Sequence, residues 1–320
     1  MSAKFIVTGG AGFIGSNIVA ALNERGEDQI LVVDDLGTDD KWRNLLGLEY
    51  ADYQHKDEFR ASIQYDRLAA VDAVFHMGAC STTTETNADY LVDNNYRYTR
   101  DLCEWCMEHD VRFIYASSAA TYGDGSLGYS DEDEATPTLR PMNMYGYSKQ
   151  MFDLWALRNG VLNEIAGLKY FNVYGPRENH KGEMRSVVNK AYKQIVETGE
   201  VKLFKSHRPE YGDGEQVRDF IYVKDAVDVT LFFYDHPGIS GVFNCGTGGA
   251  RTWNDLVKAV FAAMGREPKI RYIDMPEDLR DQYQYHTEAD VTKLRGVGYD
   301  KDFTSLEDGI AEYVKGNLQG

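Results

Sequence analysis

The sequence predicts an α/β fold, a Rossmann-type doubly wound parallel sheet with a smaller, interleaved α/β substrate lobe. Short runs rich in Ile, Val, Phe and Tyr alternate with helix-like segments along the first half of the chain. The runs are continuously apolar, which is typical of parallel strands buried on both faces. After about Asn172 the elements become shorter and polar loops separate them. The alternation favours a doubly wound sheet, and the change of pattern indicates a second lobe.

Five apolar runs and three helix-like segments carry this prediction. The runs lie within residues 4–10, 29–35, 72–79, 112–118 and 165–175. The helix-like segments cover residues 16–25, 89–109 and 144–158. Two later stretches, "DFIYVKDAVDV" and "GVFNCGTGG", have the composition of strands that lead into turns or helices.

Composition and charge limit the classes of partner. The chain has 320 residues, of which 43% are hydrophobic, so it can bury a large core. Its formal net charge is -17. We therefore expect neither a nucleic-acid partner nor a membrane partner, because both require a positive surface. An anionic small substrate is compatible with this charge if basic residues cluster at one site.

The cysteines and histidines indicate a cytoplasmic protein without a metal site. Residues 1–4 lead directly into "FIVTGG", which is not a secretory leader. Four cysteines in a chain of this size predict reduced thiols. Cys103 and Cys106 form a CxxC inside a helix-like segment without a second pair, so we expect helical core or surface cysteines. The seven histidines show no metal-binding spacing.

The first apolar run leads into a nucleotide-binding motif. Gly9, Gly12 and Gly15 of "VTGGAGFIG" form a GxxGxxG pattern between a predicted strand and a predicted helix. Such glycines let backbone N–H groups approach a pyrophosphate, and the helix N-terminus adds partial positive charge. The second run ends at Asp34, whose carboxylate can bind ribose hydroxyls. Asp34 favours NAD, but Lys41 could neutralise the 2′-phosphate of NADP, so the local sequence leaves this choice open.

The motif and the change of pattern together suggest a division into two interleaved regions. The predicted NAD(P)-binding Rossmann domain comprises residues 1–171 plus about 218–245. The predicted substrate-binding lobe comprises residues 172–217 plus about 246–320.

The stretch "NMYGYSK", residues 143–149, contains a candidate proton-transfer residue. In a helix, Tyr145 and Lys149 are four residues apart and share one face, whereas Tyr147 points elsewhere. A lysine ammonium beside the phenol, together with the positive charge of a nicotinamide, is expected to lower the pKa of Tyr145. Such a tyrosine can accept a proton from an alcohol. Ser118, at the end of the preceding strand, has a hydroxyl suited to orienting the substrate oxygen.

These motifs resemble a known family. "TGGAGFIG", "SSAATYG" and "YGYSK" are similar to the extended short-chain dehydrogenase/reductase superfamily, which includes nucleotide-sugar epimerases and dehydratases. Longer stretches, among them "GACSTTTE", "DNNYRYT", "YFNVYGPRENHKG" and "RDFIYV", resemble the ADP-glyceromanno-heptose 6-epimerase family of lipopolysaccharide core synthesis. The likeness runs nearly from end to end, and "GACSTTTE" and "NHKG" are more specific than the glycines.

The resemblance implies a reaction and a cofactor. The family converts ADP-D-glycero-D-manno-heptose to ADP-L-glycero-D-manno-heptose through a transient ketone at C6″. The implied cofactor is one NADP per subunit, with NAD as the alternative, and the implied assembly is a homo-oligomer, which in relatives is often a pentamer. Tyr145 and Lys181 correspond to the two acid/base residues of the family. Lys149 corresponds to the lysine that holds the nicotinamide ribose.

Further site residues carry over by matching motifs. Beyond the glycines, the implied cofactor contacts are Phe13, Ile14, Asp34, Asp35, Lys41, Lys56, Met77, Gly78, Ala79, Cys80, Ser81, Asn94, Lys149, Val173 and Lys181. The implied substrate contacts are Ser118, Asn172, Glu183, Lys190, Phe204, Lys205, Ser206, His207, Arg218 and Tyr283. Arg218 is physically suited to binding a diphosphate. The loop 206–217 is longer than the family pattern, so the sequence leaves its contacts open.

Two other functions compete with this interpretation. A UDP-sugar 4-epimerase of the same superfamily uses the same chemistry, and only the resemblance in the substrate lobe distinguishes it. A sugar 4,6-dehydratase is disfavoured, because "SSAATYG" lacks the Asp-Glu pair that dehydratases use. A non-catalytic dinucleotide-binding sensor belongs to a different class, and the presence of Ser118, Tyr145 and Lys149 together argues against it.

Overall fold

A computed structural model describes residues 3–68, 71–280 and 283–319. The strands are β1 Phe5–Thr8, β2 Ile30–Asp34, β3 Asp52–His55, β4 Ala73–His76, β5 Arg112–Ser118, β6 Ala166–Tyr170, β7 Asn172–Tyr174, β8 Val201–Phe204, β9 Val217–Arg218, β10 Phe220–Tyr222, β11 Gly241–Cys245, β12 Arg251–Thr252 and β13 Ile270–Ile273. Seven of them form one parallel sheet in the order β11-β6-β5-β4-β1-β2-β3. This sheet confirms the predicted doubly wound α/β fold.

Helices cover both faces of this sheet and the second lobe. The α-helices are α1 Phe13–Glu24, α2 Lys56–Gln64, α3 Ala88–Leu91, α4 Tyr98–Glu108, α5 Met144–Arg158, α6 Val187–Thr198, α7 Val223–Asp235, α8 Trp253–Ala263, α9 Glu277–Arg280, α10 Thr292–Gly296 and α11 Leu306–Tyr313. The 3-10 helices are Asp40–Leu45, Ala119–Tyr122, Thr136–Thr138, Val161–Asn163 and Asn179–Met184, and the π-helices are Val92–Arg97 and Val314–Leu318.

The sheet order places a crevice at the carboxyl ends of the central strands. β1 lies between β2 and β4, with all three parallel. The chain therefore leaves β1 toward β2 and β3 on one side, and later runs to β4, β5 and β6 on the other. Ligands of doubly wound proteins bind at this reversal of strand order. The loops after β1, β2, β4 and β5 all open at this edge.

Local sequence explains the boundaries of the elements that carry the site. β1 is fully apolar apart from Thr8 and is buried along its length. α5 begins after Asn143, whose side-chain oxygen accepts a hydrogen bond from Gly146 N at 2.8 Å. This N-cap satisfies one of the free N–H groups of the first turn. The observed α5 covers the predicted helix 144–158.

Other predictions were only approximate. The expected helix 89–109 consists of α3, a π-helix at Val92–Arg97 and α4, joined without a break. The expected strand 165–175 divides into β6 and β7, because Phe171 N bonds to Cys245 O and the chain then leaves the main sheet. β3 and α2 were not predicted. β3 is a polar edge strand with no buried residue, so it lacks the apolar run that marks the other strands.

Three two-stranded sheets lie outside the main sheet. β7 pairs with β10 and β8 with β13 in parallel, and β9 pairs with β12 in antiparallel orientation. Each sheet joins segments that are far apart in sequence. The domain boundaries expected from the sequence, at about residues 171, 218 and 245, remain a prediction.

Candidate active site

One cavity of about 720 Å³ lies at the crevice beyond β1 and β4. It brings together every residue that the sequence predicted for the cofactor and for proton transfer. These residues are Gly9, Gly12, Phe13, Ile14, Gly15, Asp34, Asp35, Lys41, Lys56, Met77, Gly78, Ala79, Cys80, Ser81, Asn94, Ser118, Tyr145, Lys149, Val173 and Lys181. Asn172, a predicted substrate contact, also lines the cavity.

The glycine loop has the geometry that a dinucleotide requires. Gly9 has a φ of +65°, and a Cβ there would lie 2.8 Å from Gly78 N, so only glycine lets the loops after β1 and β4 approach so closely. Gly12 is the N-cap of α1 and gives no side-chain cap, and the first turn of α1 has no acidic residue. The first-turn N–H groups of this 12-residue helix therefore face the cavity without a side-chain acceptor. This arrangement fits the pyrophosphate of NAD(P).

Asp34, at the end of β2, is already engaged by the protein. Its Oδ2 accepts from Ala11 N at 2.8 Å, and its Oδ1 accepts from Asp35 N at 2.7 Å. Lys41 Nζ lies 3.2 Å from the same Oδ1 and donates to Asp35 O at 2.7 Å. Lys56 Nζ lies 4.0 Å from the Asp35 carboxylate. Two ammonium groups thus flank the two carboxylates where the adenosine ribose would bind.

The loop after β4 is tied to α5 by Asn95. Cys80 N donates to Asn95 Oδ1 at 2.9 Å, and Asn95 Nδ2 donates to Cys80 O at 3.0 Å. Asn95 Nδ2 also donates to Ser148 Oγ at 3.0 Å, and Ser148 Oγ donates to Tyr145 O at 2.7 Å. Asn95 lies in the π-helix, an irregularity common at functional sites. The fully buried amide therefore fixes the cofactor loop relative to Tyr145.

The structure supports the choice of Tyr145 over Tyr147. Tyr145 is half-buried and lines the cavity, whereas Tyr147 is 47% exposed on the other side of α5. Ser118, at the end of β5, lines the same cavity. Its hydroxyl accepts from Ala120 N at 3.1 Å and forms a side-chain hydrogen bond with Tyr145. The serine and the phenol are thus placed side by side.

The predicted lowering of the Tyr145 pKa is wrong for the protein alone. Burial raises the pKa of Tyr145 above its ordinary value, and the hydrogen bond from Ser118 offsets only part of this shift. Desolvation disfavours the charged phenolate. The prediction also included the charge of a nicotinamide, which the protein itself does not supply.

Lys149 is a buried cation beside the phenol. Its Nζ donates to Ala116 O at 2.8 Å. Burial lowers the pKa of Lys149 to about 8, although the negative charge of Asp153 acts in the opposite direction. Among the residues that the structure describes, no carboxylate forms an ion pair with Lys149. Its remaining N–H donors are available for ribose hydroxyls.

Lys181 lines the same cavity from the segment after β7. It lies in the 3-10 helix Asn179–Met184, and its Nζ is 5.2 Å from the centroid of the Phe13 ring. Burial lowers the pKa of Lys181, and the nearby carboxylate of Glu178 partly offsets this effect. A lysine whose pKa is lowered can exchange a proton near neutral pH more readily than an exposed one.

Most of the predicted substrate residues do not line the main cavity. Glu183 has a fully exposed side chain, and its carboxylate lies 3.4 Å from Lys190 Nζ. Lys205 pairs with Asp274 at 3.1 Å, and His207 is exposed. The predicted residues that do not line the cavity are Glu183, Lys190, Phe204, Lys205, Ser206, His207, Arg218 and Tyr283. Their role as substrate contacts stays a prediction.

Arg218 forms a small cluster behind the cavity wall. Its guanidinium lies 5.5 Å from the Trp253 ring centroid and 5.2 Å from that of Tyr283. It donates to Val217 O at 2.8 Å and to Gln284 O at 2.5 Å. Trp253 lines the main cavity, whereas Tyr283 lines a second cavity of about 860 Å³. Arg218 therefore lies between the two spaces.

The residues of the main cavity lining that sequence reasoning missed include His180 and Trp253. His180 bonds to Asn44 Nδ2 through Nδ1 at 3.0 Å, and burial lowers its pKa to about 4. Its position beside Lys181 in "NHKG" was the available signal. Trp253 has no such signal, because the pairing of β9 with β12 brings it to the cavity.

Other site types find no support in the described ranges 3–68, 71–280 and 283–319. No group of three or more His, Cys, Asp or Glu side chains there could hold a metal ion. None of the helices in these ranges combines the length and apolar composition of a membrane span. Cys103 and Cys106 are buried and free on α4, as expected for core cysteines.

Comparisons with known proteins agree with this geometry. The family described as "NAD dependent epimerase/dehydratase family" matches residues 5–246. A protein of Nitratidesulfovibrio vulgaris (strain DP4) named "ADP-L-glycero-D-manno-heptose-6-epimerase" is 61% identical over 312 residues, which cover 97% of each chain.

Two solved structures have similar folds. A Helicobacter pylori ADP-L-glycero-D-manno-heptose-6-epimerase has a TM-score of 0.82 and 29% identity, with 98% of this chain and 96% of that chain covered. A UDP-N-acetylglucosamine 4-epimerase from Methanobrevibacter ruminantium M1, in complex with UDP-N-acetylmuramic acid, has a TM-score of 0.83 and 26% identity, with 100% and 99% covered. The chain belongs to the NAD dependent epimerase/dehydratase family.

Proposed function

We propose that this protein is an epimerase that converts ADP-D-glycero-D-manno-heptose to ADP-L-glycero-D-manno-heptose at C6″, for the heptose of the lipopolysaccharide core. One observation carries the proposal: Tyr145, Lys149 and Lys181 meet the dinucleotide loop in one cavity. The chain that holds them is 61% identical to a protein named for this activity. The cavity therefore combines a hydride carrier with two separate proton-transfer groups.

The first proton-transfer group is Tyr145. When bound, NAD(P) supplies hydride transfer from and to C6″. Tyr145 removes the hydroxyl proton of one epimer, while Ser118 orients the same oxygen through the hydroxyl that already bonds to the phenol. Burial alone raises the pKa of Tyr145, so Lys149 and further positive charge close to the phenol are needed to form phenolate.

The second proton-transfer group is Lys181. If a bound NAD(P) supplied hydride to the opposite face of the ketone, the new hydroxyl would form on the other side and would need its own proton donor. Lys181 approaches from the second lobe, and burial lowers its pKa. Because C6″ is exocyclic, rotation about one C–C bond presents either face without turning the whole sugar. Tyr145 and Lys181 come from different segments that line one cavity, so each epimer could have its own proton-transfer group.

We infer that NADP is preferred to NAD. Both oxygens of Asp34 already accept hydrogen bonds from the protein, so they are not directed solely to ribose hydroxyls. Lys41 neutralises Asp34, and Lys56 lies close to Asp35. A 2′-phosphate at this edge would meet two ammonium groups. Purified protein should release NADP on denaturation, and release of no nicotinamide at all would count heavily against the site.

The ADP half of the substrate is assigned to the second lobe. Asn172 is expected to contact the sugar, since it lines the cavity beside Val173. Arg218 is the proposed diphosphate ligand, because its guanidinium lies next to Trp253 at the cavity wall. The remaining proposed contacts are Glu183, Lys190, Phe204, Lys205, Ser206, His207 and Tyr283. We also propose that the protein is cytoplasmic and forms a homo-oligomer.

A UDP-sugar 4-epimerase is the competing function. The fold does not separate the two functions, because structures of both kinds have TM-scores above 0.8. Sequence does separate them: identity is 61% to the heptose epimerase relative and 26% to the 4-epimerase structure. The heptose substrate is therefore favoured.

A direct assay tests the proposal. The purified holoenzyme is incubated separately with ADP-D-glycero-D-manno-heptose and with UDP-galactose, and the epimers are resolved by NMR. The proposal predicts the L-glycero product from the first substrate and no epimer from the second. Conversion of UDP-galactose alone would establish the 4-epimerase instead.

A further inference from the structure

A buried charge pair lies directly behind the catalytic residues. Lys169 Nζ, on β6, is 3.0 Å from Asp153 Oδ2, on α5, and both residues are fully buried. The carboxylate also accepts from Tyr115 OH at 2.8 Å and from Ser117 Oγ at 2.7 Å. Lys169 Nζ donates to Thr121 Oγ1 at 2.7 Å. Such a pair is costly to bury and is weak evidence for stability alone, so its placement calls for another explanation.

The pair holds the strand end that carries Ser118 from two sides. Asp153 binds the hydroxyl of Ser117, the preceding residue. Lys169 binds Thr121, whose own hydroxyl donates to Ser118 O at 2.8 Å. Movement of either partner would therefore move Ser118 relative to the substrate oxygen.

The pair also lies on the helical face that presents the catalytic residues. Tyr145, Lys149 and Asp153 are spaced by four residues along α5, so they follow one another on one face. Lys149 is buried and makes its one described hydrogen bond to Ala116 O. Asp153 is thus the acidic side chain next to Lys149 on this face, and Lys169 already neutralises it.

We propose that Asp153 and Lys169 act as a positioning pair, which orients Ser118 and sets how strongly the positive charge of Lys149 acts on Tyr145. The proposal rests on the proposed function. Asp153 stabilises Lys149 as an ammonium group. Lys169 offsets the carboxylate charge, so that Lys149 keeps a net positive field toward the phenol. Two lysines and one carboxylate leave one positive charge beside the reacting atoms.

Two other ionisable groups near this pair are neutral, so they do not change the net charge around Lys149. His76 is fully buried and neutral, because desolvation lowers its pKa to about 3. Burial raises the pKa of Tyr115 well above its ordinary value, so it stays a neutral donor. The ionisable groups whose charges act with that of Lys149 are His76 and Cys80, from β4 and its loop, and Asp153 from α5. Tyr145 shares its helical face, and Tyr115 and Lys169 contact Asp153 from β5 and β6.

Opposite charge changes should shift the Tyr145 titration in opposite directions. Asp153→Asn removes a negative charge, so phenolate forms more easily and the titration moves to lower pH. Lys169→Gln keeps a donor for Thr121 but leaves the carboxylate unneutralised, so the titration moves to higher pH. We expect shifts of up to about one pH unit, the scale for a unit charge about 12 Å away, the length of eight residues along α5, at an effective dielectric constant of about 20. The double variant should fall between the two.

The readout does not depend on the sugar. Ultraviolet difference spectra of tyrosinate are recorded against pH for each holoenzyme, with Tyr145→Phe subtracted as the reference. The pH profile of kcat with ADP-heptose gives an independent second measurement. If the wild type fails to turn over ADP-heptose, the proposed function fails, whereas the spectra still test the charge pair.

A purely structural pair would behave differently. If the pair were purely structural, the charge variants would lower kcat at every pH and leave the pH of the Tyr145 titration unchanged, or both variants would shift that titration in the same direction. Either result would overturn the proposal. Lys169→Arg keeps the charge and should restore the wild-type titration. Tyr115→Phe removes one hydrogen-bond donor to Asp153 without changing a charge, so it should raise the pH of the Tyr145 titration by less than Lys169→Gln does. This variant keeps the test available if a charge variant does not fold. No shift in Tyr115→Phe would then reject the pair's role.

Discussion

The cofactor side and the substrate side of this protein differ in how far their predicted residues come together. On the cofactor side, the predicted residues come from separate stretches between Gly9 and Lys181, and all of them line one cavity. On the substrate side, only Ser118 and Asn172 of the predicted contacts do so. Most members of both sets came from the same resemblance, although the glycines, Asp34 and Lys41 were also predicted from the strand–turn–helix motif itself. The difference therefore lies in the architecture that positions them.

Parallel-sheet geometry accounts for the convergence on the cofactor side. The carboxyl ends of β1, β2, β4 and β5 lie at one edge, so each loop after a strand reaches the crevice. Outside the main sheet there are three two-stranded sheets and long polar loops instead. Lys190 and Lys205 there pair with carboxylates rather than facing the cavity. A motif thus predicts placement well only where the fold itself aligns the loops.

The largest expected effect is at Tyr145. Tyr145→Phe should lower turnover by about 10²-fold or more, the usual scale for a group that transfers a proton. The variant should still retain its cofactor, since the glycine loop is unchanged. Tyr147→Phe is the matched control, because Tyr147 is two residues away and 47% exposed. Near-normal turnover of Tyr145→Phe would remove this residue from the reaction.

Lys181 and Lys190 are close in sequence, but only Lys181 lines the cavity, so they allow a comparison of the two sides within one segment. Lys181→Met should lower turnover by about 10²-fold, because one epimer loses its proton donor. Lys190→Met should mainly raise KM, because Lys190 is a proposed substrate contact but is ion-paired outside the cavity that holds the proton-transfer groups. Steady-state kinetics with ADP-heptose separate these outcomes. A loss of kcat in Lys190→Met as large as that in Lys181→Met would contradict the assignment.

Arg218 tests the substrate side itself. Arg218→Lys keeps the charge but loses the planar fork that can bind a diphosphate. We expect KM for ADP-heptose to rise by about tenfold, consistent with the loss of one charge-assisted hydrogen bond. Thermal unfolding serves as the control, because the guanidinium also donates to two backbone carbonyls. An unchanged KM in a folded variant would place the diphosphate elsewhere.

The smallest expected effect concerns the choice of cofactor. Lys41→Met removes one ammonium group from the edge of the cofactor side. The preference for NADP over NAD should fall roughly fivefold, the scale of a partly exposed ion pair. Binding of NAD to the same variant is the internal control and should change little. An NADP preference that survives intact would exclude Lys41 from contact with the 2′-phosphate.

The fold was largely predictable because its main strands carry continuous apolar runs. β3 was missed because its residues are polar and lie at the sheet edge. α2 follows it directly and was missed with it. Apolar periodicity reports burial, so an edge element without burial gives no signal.

The site was predictable only in part, for a different reason. Helical spacing alone identified Tyr145, whereas Lys181 depended on the family resemblance. Asn95, Asp153 and Trp253 were not found, since each acts through contacts between segments that are distant in sequence. Asp153, for example, meets Lys169 only because α5 packs against the main sheet. A single sequence does not report such pairs.

The central claim is that one bound nicotinamide removes a hydride from C6″ and returns it to the other face. The most direct measurement is to run the reaction with ADP-D-glycero-D-manno-heptose in D₂O and to examine C6″ of the product by NMR. Direct return of the hydride predicts an L-glycero product without deuterium at C6″. Deuterium at that carbon would show that a proton was removed from carbon, and would contradict the account.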